Sequence, residues 1–332
     1  MKIIICLALV VASHALPSAE VYPVSDEVIN KINSMQSTWT AGRNFPVDTT
    51  MDQLRKLAGT RFRSMKTLPT KIHDVSLEDT IPEFFDAREE WPDCPSIVEI
   101  WDQGSCASCW AVAAVGAMAD RICIHSNGEK KVKVSAQDLL TCCTGSQGCD
   151  GGWMDVAWKY WIDNGIVSGG LYGETDGCRA YSVEPCNHHI NGSKQTTCET
   201  YGPTPACVKQ CDSSSLSYEN ELTFGREDVV YTISTDETQI QLEIMKNGPV
   251  EAGFFMYSDF YTYKSGVYQP TDGFFTGGHA IKIIGWGEEN GTPYWLGVNS
   301  FNDEWGENGF FKISREDKRV RMLEVYGGLP KL

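Results

Sequence analysis

Cysteine spacing constrains this chain more than any other feature. Twelve of its thirteen cysteines lie at or beyond Cys94, and eleven of those fall between Cys106 and Cys211. In an oxidising compartment such density specifies loops stapled by disulfides, not long regular elements. The N-terminus points to that compartment. MKIIICLALVVASHAL, residues 1–16, has one lysine, an apolar run from Ile3 to Ala12 and the small-residue pattern Ser13-His14-Ala15. This reads as a secretory signal cut near Ala15 or Leu16, which removes Cys6. The run is too short to span a bilayer, and no later stretch is apolar enough to do so. The expected product is soluble, in the lysosome or outside the cell. With most thiols consumed in bridges, a dithiol redox centre and a cysteine-ligated metal both become poor readings. Asn191 and Asn290 head glycosylation sequons, the second weakened by Pro293.

Charge is unevenly spread. The chain carries −16, Lys2 gives residues 1–16 a charge of +1, and residues 17–80 balance eight acids with eight bases, which leaves −17 for residues 81–332. So acidic a body repels phosphate, which argues against a nucleic-acid partner. Residues 53–73 hold Arg55, Lys56, Arg61, Arg63, Lys66 and Lys71 and no acid. Either this stretch is solvated or it rests on an acidic neighbour in the same chain.

Texture divides the chain further. Residues 17–80 lack cysteine, with helical spacing over Asp26–Met35 and a second short amphipathic turn over Met51–Leu57. Gly59 and Pro69 break the pattern, and 67–80 reads as an extended connector. A piece this small and unbridged needs the larger body to fold against. In the body, an alanine-rich apolar run predicts a buried helix over Cys109–Ile124, and a second helix covers Met154–Asn164. Residues 165–220 are rich in Gly, Cys, Pro and Ser and read as loops. From 226 onward come the strand patterns VVYTIS, VEAGFFMY, HAIKIIGW, TPYWLGVNS and GFFKIS, with a helix over Thr238–Asn247. A helical half followed by a β-rich half implies an α+β body with a seam between them.

Chemistry concentrates at that seam. In DQGSCASCWAV, residues 102–112, Cys109 sits where a loop runs into the helix that begins at Trp110. Amides at a helix N-terminus favour negative charge and bias a thiol toward thiolate. A thiolate nucleophile needs a partner for its proton, usually an imidazole. Beyond the signal the histidines are His73, His125, His188, His189 and His279. His279 is the best placed, in GGHAIKIIGWG, where two glycines allow close approach. HAIKIIGW and PYWLGVNS flank the turn GEENGT, so an antiparallel hairpin centred on residue 289 sets His279 opposite Asn299. Asn299 then orients one ring nitrogen, in the logic of a nucleophile–base–orienter triad. Taken singly, His279 is equally a hydrogen-bonded core histidine and Asn299 a strand-end residue.

These residues, with the GC-GG pattern at 148–152, GGHAI at 277–281 and NS with WG–NGFFKI at 299–313, resemble the papain-like cysteine proteases. PCNHHINGSKQTTC at 185–198 resembles the occluding loop of the cathepsin B branch, FDAREEWPDCP at 85–95 its mature N-terminus, and TWTAGRNF at 38–45 its propeptide. The resemblance implies an α+β papain-like fold of two lobes, a helical left lobe and a β-barrel-like right lobe, with the active-site cleft between. It implies a signal peptide at 1–16, an inhibitory propeptide at 17–80 and a peptidase domain at 81–332, with the occluding loop at about 184–199. Cys109 is then the nucleophile, His279 the base and later the acid, and Asn299 the orienter. Gln103 and the Cys109 N–H form the oxyanion hole, whose donors meet charge that develops in the transition state. Gly151 and Gly152 pair with extended substrate, and Glu324 floors the second specificity pocket, admitting arginine as well as bulky apolar groups. His188 and His189 receive a substrate's C-terminal carboxylate, which implies dipeptide removal besides endopeptidase action. Asp102 pins that loop, and Lys194 with Glu304 forms a second latch. The bridges implied are Cys94–Cys123, Cys106–Cys149, Cys142–Cys207, Cys178–Cys211 and Cys186–Cys198. The sequence leaves open whether Cys142 or Cys143 pairs with Cys207. No metal or cofactor is implied. The partners implied are peptide and protein substrates, the chain's own propeptide and cystatin-type inhibitors, on a monomer.

The chain departs from the family pattern at four places. Ala107 replaces a glycine beside the first specificity pocket, Phe301 a tryptophan that shields the Asn–His contact, Asp150 an asparagine, and Val112 a phenylalanine. None removes a reacting group. Two readings follow: a cysteine peptidase made as a zymogen, or a silent homologue that binds peptides or inhibitors in the same cleft. Intact Cys109, His279, Asn299 and Gln103 favour the first. The charge split predicts that the basic 53–73 stretch is held by carboxylates of the body, and that acid loosens it and favours cutting near residue 80.

Overall fold

A computed structural model describes residues 22–35, 38–63, 67–74, 80–185 and 202–332. The expected signal, the loop histidines His188 and His189, Lys194, the Cys186–Cys198 pair and the Asn191 sequon lie outside the described residues. In chain order the elements are α1 Asp26–Ser34, β1 Trp39–Ala41, α2 Met51–Arg55, β2 Thr70–Lys71, β3 Phe85–Asp86, α3 Ala87–Glu90, α4 Cys109–His125, α5 Ala136–Cys142 and α6 Met154–Asp163. They continue with β4 Gly169–Gly170, β5 Arg179–Ala180, β6 Phe224–Ile233, α7 Glu237–Asn247, β7 Val250–Tyr257, β8 Tyr263–Tyr268, β9 Phe275–Glu289, β10 Thr292–Val298, β11 Phe310–Ser314 and β12 Glu324–Lys331.

Local chemistry explains the ends. Ser25 caps α1, Thr50 and Gln53 close a capping box on α2, and Asp236 caps α7, which stops at Gly248 with φ 96°. Helix α4 is different. It is buried nearly all round, and Ala111, Ala113, Ala114, Ala117 and Ala119 let other elements pack closely against its backbone. It joins α5 and α6 in one core with Trp110, Trp158 and Trp161, the helical lobe. The second lobe is a long sheet in the order β1-β8-β11-β10-β9-β7-β12-β6-β2, packed around Phe254, Phe260, Trp295 and Trp305. Strands β8 and β12 complete this lobe and were not among the sequence-predicted strands.

The β9–β10 hairpin corrects one expectation. Its turn is Asn290-Gly291, both at positive φ (52° and 79°), the pair of conformations a two-residue type I′ loop requires. Thr292 therefore pairs with Glu289, and the hairpin is centred between residues 290 and 291, not on 289. A bulge between Leu296 and Gly297 then shifts the register, and the last pair is Val298 with Lys282. Asn299 lies one residue past the strand end and reaches His279 diagonally, not from directly opposite.

The N-terminal segment folds onto the sheet lobe, as its size required. Val24, Ile29, Ile32, Trp39, Phe45, Leu54 and Leu57 belong to the same core as Phe254 and Phe260. Each such side chain contributes about 1.5–3 kcal/mol by leaving water. Strand β1 extends the sheet on β8, and the Trp39 indole donates to Gln269 O at 2.9 Å with its ring edge-on to Tyr268 at 5.1 Å. Asn44 Nδ2 donates to the carbonyls of Tyr261 and Tyr263 at 3.0 and 2.7 Å. Trp39→Ala should cost about 3–5 kcal/mol of this docking. Limited proteolysis of the full chain should then cut residues 22–63 much faster while the disulfide-stapled body resists; an unchanged digestion pattern would show that β1 does not hold the segment.

Candidate active site

Cys109 is fully buried at the first position of α4, beneath the N-terminal segment. Gly59 N–H points to its sulfur at 3.3 Å, and the Thr60 hydroxyl lies at the same distance. Burial pushes the thiol pKa up. The His279 imidazole, the Thr60 hydroxyl and the Ala280 amide outweigh that, and bring it from 9 down to about 7. Ser108 does not cap the helix with its side chain; it donates instead to Tyr181 Oη at 2.7 Å, which donates to Gln103 O at 3.0 Å. The first turn's amides are thus left facing the thiol side.

His279 and Asn299 meet as the motif required. His279 Nε2 lies 2.8 Å from Asn299 Oδ1, which also accepts from Ser300 N at 2.8 Å. Nδ1 of the buried imidazole has no hydrogen bond of good geometry among the described residues. Phe301, fully buried, lies over the imidazole with centroids 5.0 Å apart, and is itself stacked on Tyr261 at 6.2 Å. An aromatic shield is present although the tryptophan is not.

Gln103 is held on both ends of its amide. Oε1 accepts from Ser300 Oγ at 2.6 Å, and Nε2 donates to Cys106 O at 2.8 Å and to Leu57 O at 3.1 Å. Ser300 was not singled out in the sequence, where it is only the residue after Asn299; its role follows from the fold. The glycine strip behaves as a backbone pairing edge. Gly152 N donates to Gly59 O and Arg61 N donates to Gly152 O, each at 2.9 Å, while Thr60 N donates to Gly278 O at 3.0 Å. A Cβ on Gly151 would stand 2.5 Å from Gly59 O. Ala107 forms the floor below: a Cβ on Gly59 would come within 2.0 Å of Ala107 O.

Glu324 sits beside Phe62, but not as a free anionic floor. Its Oε1 accepts from Arg63 N and its Oε2 from Tyr326 OH, both at 3.0 Å. Phe62 fills the slot against Gly253, Gly278 and Phe255. Behind it Glu251, unremarked in the sequence, is fully buried; burial raises its pKa well above the carboxylate range although Trp158 donates to it at 2.7 Å. Asp102 accepts from Gly104 N at 2.7 Å and faces Asn302, and Glu304 receives Lys264 Nζ on its carbonyl. Their expected partners lie outside the described residues. Among the described residues four bridges are formed, Cys94–Cys123, Cys106–Cys149, Cys142–Cys207 and Cys178–Cys211. Cys142 is the one that pairs, and Cys143 stays a buried free thiol with its pKa pushed up to about 11 by burial.

The basic stretch contacts the body, but only partly through carboxylates. Arg61 donates to Asp150 O and lies 5.5 Å from the Trp153 ring centre. Arg63 stacks on Trp153 at 4.6 Å with Asp155 at 3.7 Å, while Arg55 turns to Asp52 of its own helix. Faces of aromatic rings and carbonyls do not lose charge in acid, which weakens the expected trigger.

Comparison with known proteins agrees with this geometry. Residues 81–326 match the papain family cysteine proteases, and residues 24–63 match the peptidase family C1 propeptide. The chain belongs to the papain family of cysteine proteases, with the family's propeptide ahead of the body. Within it, relatives are cathepsin B-like. Cathepsin B-like cysteine proteinase 4 of Caenorhabditis elegans is 43% identical over 340 aligned positions, covering 100% of both chains. Proteinase 5 of the same organism is 44% identical over 87% of this chain and 85% of its own. Among solved structures, procathepsin B S9 from Trypanosoma congolense superposes with a TM-score of 0.77 at 31% identity, covering 93% of this chain and 99% of that one. Procathepsin L2 from Tenebrio molitor gives 0.67 at 26% identity, over 92% and 89%.

Gly59 is the tightest point of the plug. Gly59→Ala forces a methyl into a backbone carbonyl, an overpacking that costs about 1–3 kcal/mol. Labelling of Cys109 by a small thiol reagent in the uncut chain should speed up roughly ten- to hundredfold. An unchanged rate would mean that Gly59 does not gate the thiol.

Proposed function

We propose that this zymogen, once cut, hydrolyses peptide bonds with Cys109 as nucleophile. The observation that carries the reading is the buried 2.8 Å contact of His279 with Asn299 beside a helix-terminal thiol whose pKa is brought to about 7. The Cys109 thiolate attacks the substrate carbonyl carbon, and the oxygen gains negative charge. Gln103 Nε2, now donating to Leu57 O, and the Cys109 N–H meet that charge. His279, its Nε2–H held by Asn299, gives a proton from Nδ1 to the departing amine and leaves a thioester on Cys109. Water then attacks the thioester while His279 takes its proton, and the acid leaves as the thiolate re-forms. Gly151 and Gly152 offer the pairing edge, and the slot that holds Phe62 takes a bulky apolar side chain of the substrate.

The finer assignments rest on the sequence resemblance. His188 and His189 would hold a C-terminal carboxylate and give dipeptide release, with Asp102 and the Lys194–Glu304 pair latching their loop. The proposed units are 1–16, 17–80 and 81–332, in the lysosome or outside the cell. Disulfide-rich loops suit such a compartment. Among the described residues no helix is long and apolar enough to cross a membrane. Processing would uncover the cleft to peptide and protein substrates and to cystatin-type inhibitors.

Gln103→Ala should lower kcat about 10²- to 10³-fold with little change in KM. A loss confined to KM would remove Gln103 from the oxyanion role. The double substitution His188→Ala with His189→Ala should reduce C-terminal dipeptide release far more than internal cleavage, and equal losses would sink the loop assignment. A folded, processed protein whose Cys109 resists an epoxide thiol trap, and which turns over no peptide, would instead be the silent homologue.

A further inference from the structure

The N-terminal segment grips the body a second time, away from Cys109. Thr70 and Lys71 pair in parallel with Thr232 and Ile233 of β6, and Thr232 N donates to Pro69 O at 2.9 Å. His73 then turns inward and is buried. Its Nε2 lies 2.7 Å from Glu243 Oε2, its N–H donates to Gln239 Oε1 at 2.6 Å, and Gln239 Nε2 donates back to His73 O at 3.2 Å. Lys71 Nζ stands 4.4 Å from the Tyr231 ring centre and 3.9 Å from Glu243 Oε2.

The receiving groups all belong to the body, and the central one, Glu243, is fixed without the segment. Glu243 is fully buried; its Oε1 accepts from Arg121 at 2.9 Å and from Tyr231 OH at 2.7 Å, and Asn247 reaches Oε2 at 3.1 Å. Arg121 is held in turn by the carbonyls of Pro249, Gly248 and Gly328. In the sheet order β9-β7-β12-β6, two strands separate this recess from the strand that carries His279.

We propose that the recess between β6 and α7 is a peptide-docking site in its own right, reading an extended strand plus an imidazole over Glu243, and that it keeps residues 67–73 bound after the chain is cut. Its occupant is this chain's own severed N-terminal segment. Edge pairing with β6 and the Gln239 amide, which holds the His73 backbone, supply affinity, and the Glu243 carboxylate supplies selectivity. The inference rests on the reading that the chain is cut between segment and body.

Acid does not release this strand. The groups facing His73 are Glu243 and Gln239 from α7, Lys71 from its own strand, and Tyr231 from β6, with Arg121 and His125 of α4 behind the carboxylate. Burial pushes the Glu243 pKa up, but Arg121, His73, Tyr231 and Lys71 more than offset it and bring it to about 2. A carboxylate depressed in this way loses its stabilising charge only as pH falls through that value. Between pH 7 and 4.5 it stays an anion, and an imidazole donates Nε2–H to it whether or not the ring is protonated.

The test is a titration of labelled peptide TLPTKIHD, residues 67–74, followed by fluorescence anisotropy. The protein is cut from the full chain, by itself or by an added endopeptidase, the retained segment is displaced with excess unlabelled peptide and dialysed away, its loss is checked by mass, and Cys109 is blocked with an epoxide. Saturable binding is expected, with the His73→Ala peptide at least tenfold weaker at both pH 7 and pH 4.5. The uncut chain, whose recess is filled, should not bind. Equal affinity of the two peptides, no binding by either, binding to the uncut chain, or loss of binding at pH 4.5 would overturn the proposal. Changes in the peptide leave the body's fold untouched. Turnover recorded before blocking tests the protease reading separately, since docking is read without it.

Discussion

The contact between the start of α4 and the strand β9 governs the arrangement of this molecule. One lobe brings a thiol on a helix terminus, and the other brings an imidazole on a sheet. Neither does chemistry alone. What holds the imidazole in place is the His279–Asn299 hydrogen bond, and what makes that bond possible is the β9–β10 register. The Asn290-Gly291 turn sets the pairing, and the bulge at Leu296 and Gly297 ends it early enough for Asn299 to leave the ladder and turn its amide toward the ring. Ser300, next in the chain, then reaches across the seam to Gln103. A shift of one residue in this hairpin would send Asn299 and Ser300 to the wrong faces together. Buried aromatic rings around Phe301 keep water from competing for these bonds.

Much of this could be read before any coordinates. The helix read over Cys109–Ile124 and observed over Cys109–His125, the strands β6, β7, β9, β10 and β11, and the grouping of Cys109, His279 and Asn299 all follow from periodicity and motif spacing. The hairpin centre did not. Counting outward from residue 289 ignored that an Asn-Gly pair at positive φ is the tightest turn available, and no sequence pattern marks the bulge. Strand β12, EVYGGLPK, was hidden because two glycines and a proline break the alternation that marks a strand. The choice between Cys142 and Cys143 turned on which side chain the end of α5 directs toward Cys207, a question of helix phase and not of spacing. Ser300 stands in the NS motif with no role that the motif marks, and Glu251 carries no motif; only burial and partners reveal what each does.

Charge misled in an instructive way. A basic stretch beside a body of −17 invites a picture of pairwise attraction between lysines, arginines and carboxylates. The segment instead uses the stems and planes of its arginines, laid on Trp153, and the backbone edges of Gly152 and Gly278. Surface ion pairs contribute little at high dielectric, whereas stacking and strand pairing exclude water and specify direction. At Glu243, where a carboxylate also serves, it is buried and fixed by Arg121, so it keeps its charge to a lower pH than an exposed carboxylate does.

How the segment lies in the cleft without being cut also follows from its direction. It pairs with Gly152 in parallel, through Thr60. The sulfur of Cys109 meets an amide N–H, that of Gly59, while the carbonyl held by Gln103 belongs to Leu57, two residues earlier. On the proposed mechanism a substrate must offer one carbonyl to both groups, its carbon at the sulfur and its oxygen at the Gln103 amide. The segment splits those two demands between different peptide units. Its N–H stabilises the thiolate without offering it an electrophile, so a reactive thiol of pKa about 7 can be stored beneath a peptide it does not cleave. Gly59 is the residue that makes this storage possible, because any side chain there would collide with Ala107 and lift the amide off the sulfur.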